Sequence, residues 1–191
     1  RERPFGEFDA CLGGWDIEFT QRNASVNISR ITSRVPGSLL TIESQKDETG
    51  AIIDSLEIDS RAIVSGFLFQ AGNSGLTNGG AILCVDAAPR ISDNTFRDNT
   101  TLNFGGAICA IRSKNQPIRD NRIFGNRAAH GGGIYLGDCE SPLVERNILF
   151  SNRADLRGGG IRIAQYAGSP SLHDNTIASN TGEGISFAGG S

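Results

Sequence analysis

The run Pro117-Ile-Arg-Asp-Asn-Arg-Ile-Phe-Gly-Asn126, with Gly131-Gly-Gly-Ile134 close behind it, is one of four copies in the chain. The others are Pro89-Arg-Ile-Ser-Asp-Asn-Thr-Phe-Arg-Asp-Asn99, Pro142-Leu-Val-Glu-Arg-Asn-Ile-Leu-Phe-Ser-Asn152 and Pro170-Ser-Leu-His-Asp-Asn-Thr-Ile-Ala-Ser-Asn180. In every copy an Asn recurs five positions after the first. Asn94, Asn121, Asn147 and Asn175 form one set and Asn99, Asn126, Asn152 and Asn180 the other, both stepping by 27, 26 and 28 residues. A third landmark keeps the same pace: Gly79-Gly-Ala-Ile82, Gly105-Gly-Ala-Ile108, Gly131-Gly-Gly-Ile134 and Gly158-Gly-Gly-Ile161. Three landmarks in phase over four copies define a repeat, and a repeat of this length implies stacked supersecondary units.

A leucine-rich repeat overlaps this length, but its leucine pattern is missing and no segment shows the 3.6-residue apolar period of a helix. Each unit instead holds three short runs of alternating character, divided by Gly, Asn, Asp and Pro. Three short strands per turn stacked in register make a right-handed parallel β-helix, an all-β solenoid of about 26 residues per coil. Gly and Asn turn the corners because they tolerate positive φ.

The first strand of each coil is expected to point Ile82 and Cys84, Ile108 and Ala110, Ile134 and Leu136, Ile161 and Ile163, and Ile185 and Phe187 inward. The second supplies Ile91, Ile118, Leu143 and Leu172, and the third Phe96, Ile123, Leu149 and Ile177. Like side chains then stack at the strand spacing of ~4.8 Å. The eight repeating asparagines read as structural ladders whose amides satisfy backbone groups at the bends. Running the register backwards places Leu56 and Ile58 below Ile82 and Cys84, and Gly66 below Asn94. Residues 1–50 read as an N-terminal cap or irregular first coils. Residues 51–191 read as regular coils, expected to continue past the last residue.

Composition narrows the function classes. Glycine supplies 25 of 191 residues, aromatics only 7%, and the formal charge is -3. That charge argues against nucleic acid as the partner, since phosphate binding wants a cationic surplus. No apolar stretch approaches the ~20 residues of a membrane span.

The Gly-Gly-x-Ile and Asn-x-Phe/Ile-x-x-Asn motifs resemble the parallel β-helix repeats of the pectin-lyase-like superfamily. They are most similar to its non-enzymatic bacterial branch: surface and adhesin-like repeat proteins, including the polymorphic outer-membrane proteins. Gly13-Gly-Trp-Asp16, Phe19-Thr-Gln-Arg22, Ile53-Asp54 and Ser65-Gly-Phe67 look like the opening segment of such secreted proteins. The resemblance runs closely over residues 52–187 and loosely over 11–50. It implies an extracellular or cell-surface protein of bacterial origin that binds a protein or glycan in a larger assembly. The same fold hosts lyases and hydrolases, so a polysaccharide-active enzyme or a carbohydrate-binding module is the alternative.

No catalytic residue is assigned. The polygalacturonase-type signatures are missing, and Ala129-His-Gly-Gly132 only brushes one of them. His130 and His173 fall at different phases of the repeat. Asp93, Asp120, Glu145 and Asp174 sit near the ladder Asn of successive coils. Turn chemistry accounts for such acids, while a stacked column of Asp93, Asp120 and Asp174 also suits Ca²⁺ as a cofactor. Arg97, Arg122, Arg127 and Arg153 form a cationic stripe that suits an acidic glycan or a partner's carboxylates, with local salt bridging as the plain reading. Along the first strand the outward positions Ala81, Leu83, Val85, Ala107, Cys109, Ile111, Gly133, Tyr135 and Gly137 are apolar. Such a face marks contact with another chain or a covering segment. Tyr135 is therefore a binding candidate, and this face and the open C-terminal end are the candidate oligomer contacts. Cys11, Cys84, Cys109 and Cys139 lack zinc spacing and leave the disulfide state open. Asn23, Asn27 and Asn99 match a glycosylation acceptor pattern, as a turn-rich sequence often does by chance.

Overall fold

Positive-φ residues recur at the corners of the chain, and they divide it into strands. The computed structural model describes residues 15–19, 29–33, 39–43, 59–166 and 168–190, and no helix occurs among them. Three parallel sheets run along a solenoid. The first stacks Leu40–Glu43, Ile82–Val85, Ile108–Ile111, Ile134–Gly137, Ile161–Tyr166 and Ile185–Gly190. The second stacks Ile63–Ser65, Arg90–Ser92, Pro117–Arg119, Leu143–Glu145 and Ser171–His173. The third stacks Ser29–Ser33, Phe67–Gln70, Thr95–Arg97, Arg122–Phe124, Ile148–Phe150 and Thr176–Ala178, and Trp15–Phe19 pairs antiparallel on its first strand. A short fourth pairing joins Arg127–His130 to Arg153–Arg157. The chain thus winds about five turns of some 27 residues, as the repeat required.

The interior is a set of vertical files. Ile82, Ile108, Ile134 and Ile161 lie in register and are fully buried, as are Cys84, Ala110, Leu136 and Ile163. Phe69 stacks on Phe96 at 4.9 Å, and Ile123, Leu149 and Ile177 continue that file. Ile185 and Phe187 hold the expected register, but in the last described coil they are 39% and 52% exposed.

Both asparagine ladders are present. Asn94 donates its backbone N–H to Asn121 Oδ1 at 3.0 Å, Asn121 to Asn147 at 3.0 Å and Asn147 to Asn175 at 3.0 Å. Asn99, Asn126, Asn152 and Asn180 repeat the arrangement. Each side-chain amide also donates to a carbonyl one coil back, as Asn121 does to Ile91 O at 2.9 Å and Asn126 to Phe96 O. Asn94, Asn99, Asn121, Asn126, Asn147 and Asn152 are buried, so their amides meet groups that water cannot reach, whereas Asn175 and Asn180 in the last described coil are half-exposed. Asn99 is one of these rungs, so its own amide is not exposed to accept a glycan.

Several positions depart from the sequence reading. In the second strand the buried residue is Val144, because Leu143 pairs with Pro117 and Val144 with Ile118 and Leu172. A one-residue shift flips a strand's inward face. Below Ile82 and Cys84 lie Leu40 and Ile42, not Leu56 and Ile58, which fall outside the described residues. Gly66 occupies the phase of Asp93, with φ 80 against φ 58, and Phe67 takes the ladder position. The matching residue in the third copy is Arg146 (φ 53), while Glu145 aligns with Arg119. A left-handed Arg costs about 1 kcal/mol. Its guanidinium offsets this with bonds to Asp120 at 2.8 and 3.0 Å and to Glu145 at 3.0 Å.

The Gly-Gly landmark has a steric cause. Gly105 has φ 71, and a Cβ on Gly106 would overlap Gly132 O of the next coil. Ala81 and Ala107 pack in the core, and a Cβ on Gly133 would face Leu149 and Ile123, so these three positions turn inward and not outward. The proposed boundary at residue 50, Cys11, Asn23 and Asn27 lie outside the described residues.

Candidate binding faces

The outer face of the first sheet carries the file Leu83, Cys109, Tyr135, Arg162 and Ser186. Its middle is covered by the chain itself. Phe104 stacks on Tyr135 at 4.5 Å and 16°, and His130 packs against Phe104 at 5.6 Å. Cys109 is fully buried and Tyr135 only 9% exposed. The apolar face therefore has a covering segment, and Cys109 faces that segment and not solvent. Burial, with Arg162 and Arg157 adding to it, lowers the His130 pKa. Burial raises the Tyr135 hydroxyl, the Cys109 thiol, the Cys139 thiol to about 11 and the Cys84 thiol to about 12. Cys84, Cys109 and Cys139 are free thiols, and at these pKa values none is a thiolate nucleophile near neutrality.

The four arginines of the expected stripe separate into two pairs. Arg127 and Arg153 are register partners that share Asp155, at 2.8 Å each. The Arg127 hydrogen bond, reinforced by Arg153, holds the Asp155 carboxyl below its ordinary range. This pair is engaged locally. Arg97 and Arg122 lie on the outer face of the third sheet, where among the described residues no carboxylate comes within ion-pair distance of either. Arg97 donates to the neutral Gln70 Oε1 at 2.8 Å, and its Nε has no hydrogen-bond partner.

The acids at the second corner follow the same local logic. The Arg146 hydrogen bonds hold the Asp120 carboxyl down. Arg146 stands between Asp120 and Asp174 in the file, a cation where a calcium column would want an oxygen ligand. No cluster of three or more metal-ligating side chains occurs among the described residues.

The outward positions of the third sheet form two files. One runs Leu68, Thr95, Arg122, Ile148 and Thr176, the other Gln70, Arg97, Phe124, Phe150 and Ala178. Phe124 and Phe150 stack at 4.8 Å and 9°, both half-buried. Beside them a groove of about 260 Å³ is lined by Gly66, Phe67, Leu68, Asp93, Thr95, Arg97 and Phe124. Sequence reasoning assigned Arg97 and Arg122 but missed the two phenylalanines. Their signal was available, because each follows the inward residue of its strand by one position and so must face out.

Geometry of this kind defines a class: a parallel β-solenoid with a ladder-braced interior and, among the described residues, a mixed apolar and cationic outer face on its third sheet. Residues 20–191 match the profile of the family described as right handed beta helix region, and the chain belongs to that family. Neither the curated proteins nor the solved structures yield a match.

Proposed function

We propose that the protein is a non-catalytic binding rod of the secreted or cell-surface kind, in which the β-helix holds one face rigid toward a protein or glycan partner. The reading follows the adhesin-like, pectin-lyase-like resemblance of the repeats. The observation that carries it is the outer face of the third sheet, where Arg97 and Arg122 lack carboxylates beside the stacked Phe124 and Phe150. Rigid elements hold such residues more closely than loops do. Asp120, Asp155 and Glu183 are engaged in local ion pairs with Arg146, Arg127 and Arg157, and His130 and His173 sit apart, in the short fourth pairing and in the second sheet.

Incubation with neutral and acidic polysaccharides tests the proposal. The expected result is no increase in reducing ends and no unsaturated product with any polymer. Turnover of one of them would instead select the polysaccharide-active reading. Light scattering on the eluting protein tests assembly through its outer faces.

A further inference from the structure

The partner's chemistry is narrower than its class. Resting on the third-sheet face as the binding surface, we propose that it takes a protein segment in which acidic side chains flank an aromatic or aliphatic anchor. Three observations converge on this.

The first is charge. Arg112, Arg119, Arg127, Arg146, Arg153 and Arg157 each lie within 4.0 Å of a carboxylate of this chain. Arg97 and Arg122 do not, although Asp93 lines the same groove as Arg97. Two uncompensated guanidiniums on one flat face complement a partner's carboxylates, and the planar fork suits them better than an ammonium would.

The second is the attitude of the rings. Phe124 and Phe150 stack at 4.8 Å and 9°, across adjacent coils. Coils are spaced by ~4.8 Å, so near-parallel rings at that centroid distance overlap across adjacent coils, with their normals leaning toward the solenoid axis and their edges outward. Ring edges carry partial positive charge. They add to the attraction for carboxylates and deny a pyranose the flat aromatic platform it would stack upon.

The third is the size of the groove. At about 260 Å³ it falls below the volume of small-molecule pockets, ~300–1,000 Å³. Phe67, Leu68 and Phe124 supply apolar lining, and Asp93 and Thr95 in the same lining can accept backbone N–H groups. One buried anchor side chain fills such a space, as anchors do at protein interfaces.

Fluorescence anisotropy with a labelled octapeptide of alternating Glu and Phe tests the assignment. The comparison probes are alternating Glu and Ser, alternating Lys and Phe, and polygalacturonate. The Glu–Phe peptide is expected to bind at least about tenfold more tightly than either peptide control. Arg97→Gln, Arg122→Gln and Phe124→Ala should each weaken it by about tenfold while far-UV circular dichroism stays native. Raising salt from about 50 to about 300 mM should weaken it further. Equal binding of the Glu–Ser or Lys–Phe peptide overturns the proposal, and so does unchanged affinity in an Arg97→Gln/Arg122→Gln double variant. No binding by any peptide also overturns it. Binding of intact polygalacturonate alone rejects the peptide partner yet keeps the binding rod, whereas its cleavage rejects the rod itself.

Discussion

Replacing Asn121 by Ala removes one rung from the middle of the first ladder. The Asn121 Oδ1 accepts the Asn94 backbone N–H at 3.0 Å and the Asn94 side-chain amide at 3.1 Å. Its Nδ2 donates to Ile91 O at 2.9 Å, Arg119 O at 2.8 Å and Asn147 Oδ1 at 3.0 Å. The residue is 1% exposed, so water cannot take over these partners without opening the coil. A buried donor left unpaired costs about 1–3 kcal/mol, and each further bond lost about 0.5–1.5 kcal/mol. Asn121→Ala is therefore expected to lose about 3–5 kcal/mol. Asn175→Ala is the control. Asn175 makes the same kinds of bond, to Asn147, Val144 O and His173 O, but it is half-exposed and solvent replaces much of what is lost. Its expected cost is about 1–2 kcal/mol. Denaturant unfolding followed by circular dichroism gives both values. Hydrogen exchange at the Asn94 amide gives an independent reading, since that proton should lose its protection only in the Asn121 variant. Equal losses in the two variants, or a protected Asn94 amide in Asn121→Ala, would refute the view that the ladder braces the interior.

Three other perturbations probe separate parts of the fold. In a Cys11→Ser background, a disulfide-exchange reagent should find no rapidly reacting thiol in the native chain and three after denaturation, because Cys84, Cys109 and Cys139 are all buried with raised pKa values. A fast native reaction would show that one of these thiols reaches solvent. Gly106→Ala drives a Cβ into Gly132 O and should cost about 3 kcal/mol or more. Gly66→Ala meets open space at φ 80 and should cost only about 1 kcal/mol by denaturant titration. The Gly158 N–H and Arg157 hold the Glu183 carboxyl at about 2, below its ordinary 4.5. A depressed carboxylate stabilises the fold above the unfolded value and loses that effect as pH falls toward the folded one. Thermal midpoints should thus drop between pH 4.5 and 2 and do so less steeply in Glu183→Gln; parallel profiles would remove Glu183 from the acid response.

The architecture was legible because its determinants are vertical. Each core side chain packs on its counterpart one coil away, so the same residue type returns at a fixed interval. Where the repeat was misread, the choice of landmark was at fault. Counting forward from Pro142 puts Leu143 in the core; counting back three from Asn147 gives Val144, as the same count gives Ile91, Ile118 and Leu172. The asparagine is the better ruler because its bonds tie it to one backbone position, whereas the proline's place shifts freely before a strand. Leu40 and Ile42 have strand character in the sequence, but the Leu40–Glu43 strand was missed in the register for a related reason. It lies 42 residues before Ile82 in sequence yet directly beneath it, so a longer connection intervenes and the periodic count fails.

The outer faces obey no such rule, and this is why function was less legible than fold. An outward side chain contacts the next coil only at its flank, so a file can change from Gln70 to Arg97 to Phe124 without disturbing the winding. Two kinds of departure from the repeat then need separating. Phe104 and Tyr135 break the pattern and cover each other, which closes the middle of the first sheet's outer face by internal packing. Arg97, Arg122, Phe124 and Phe150 break it as well, but among the described residues neither arginine has a carboxylate within ion-pair distance and both rings stay half-buried. Local rules give way at functional sites without a compensating contact inside the molecule. By that criterion the third sheet, and not the first, is the face on which the proposed contact from outside rests.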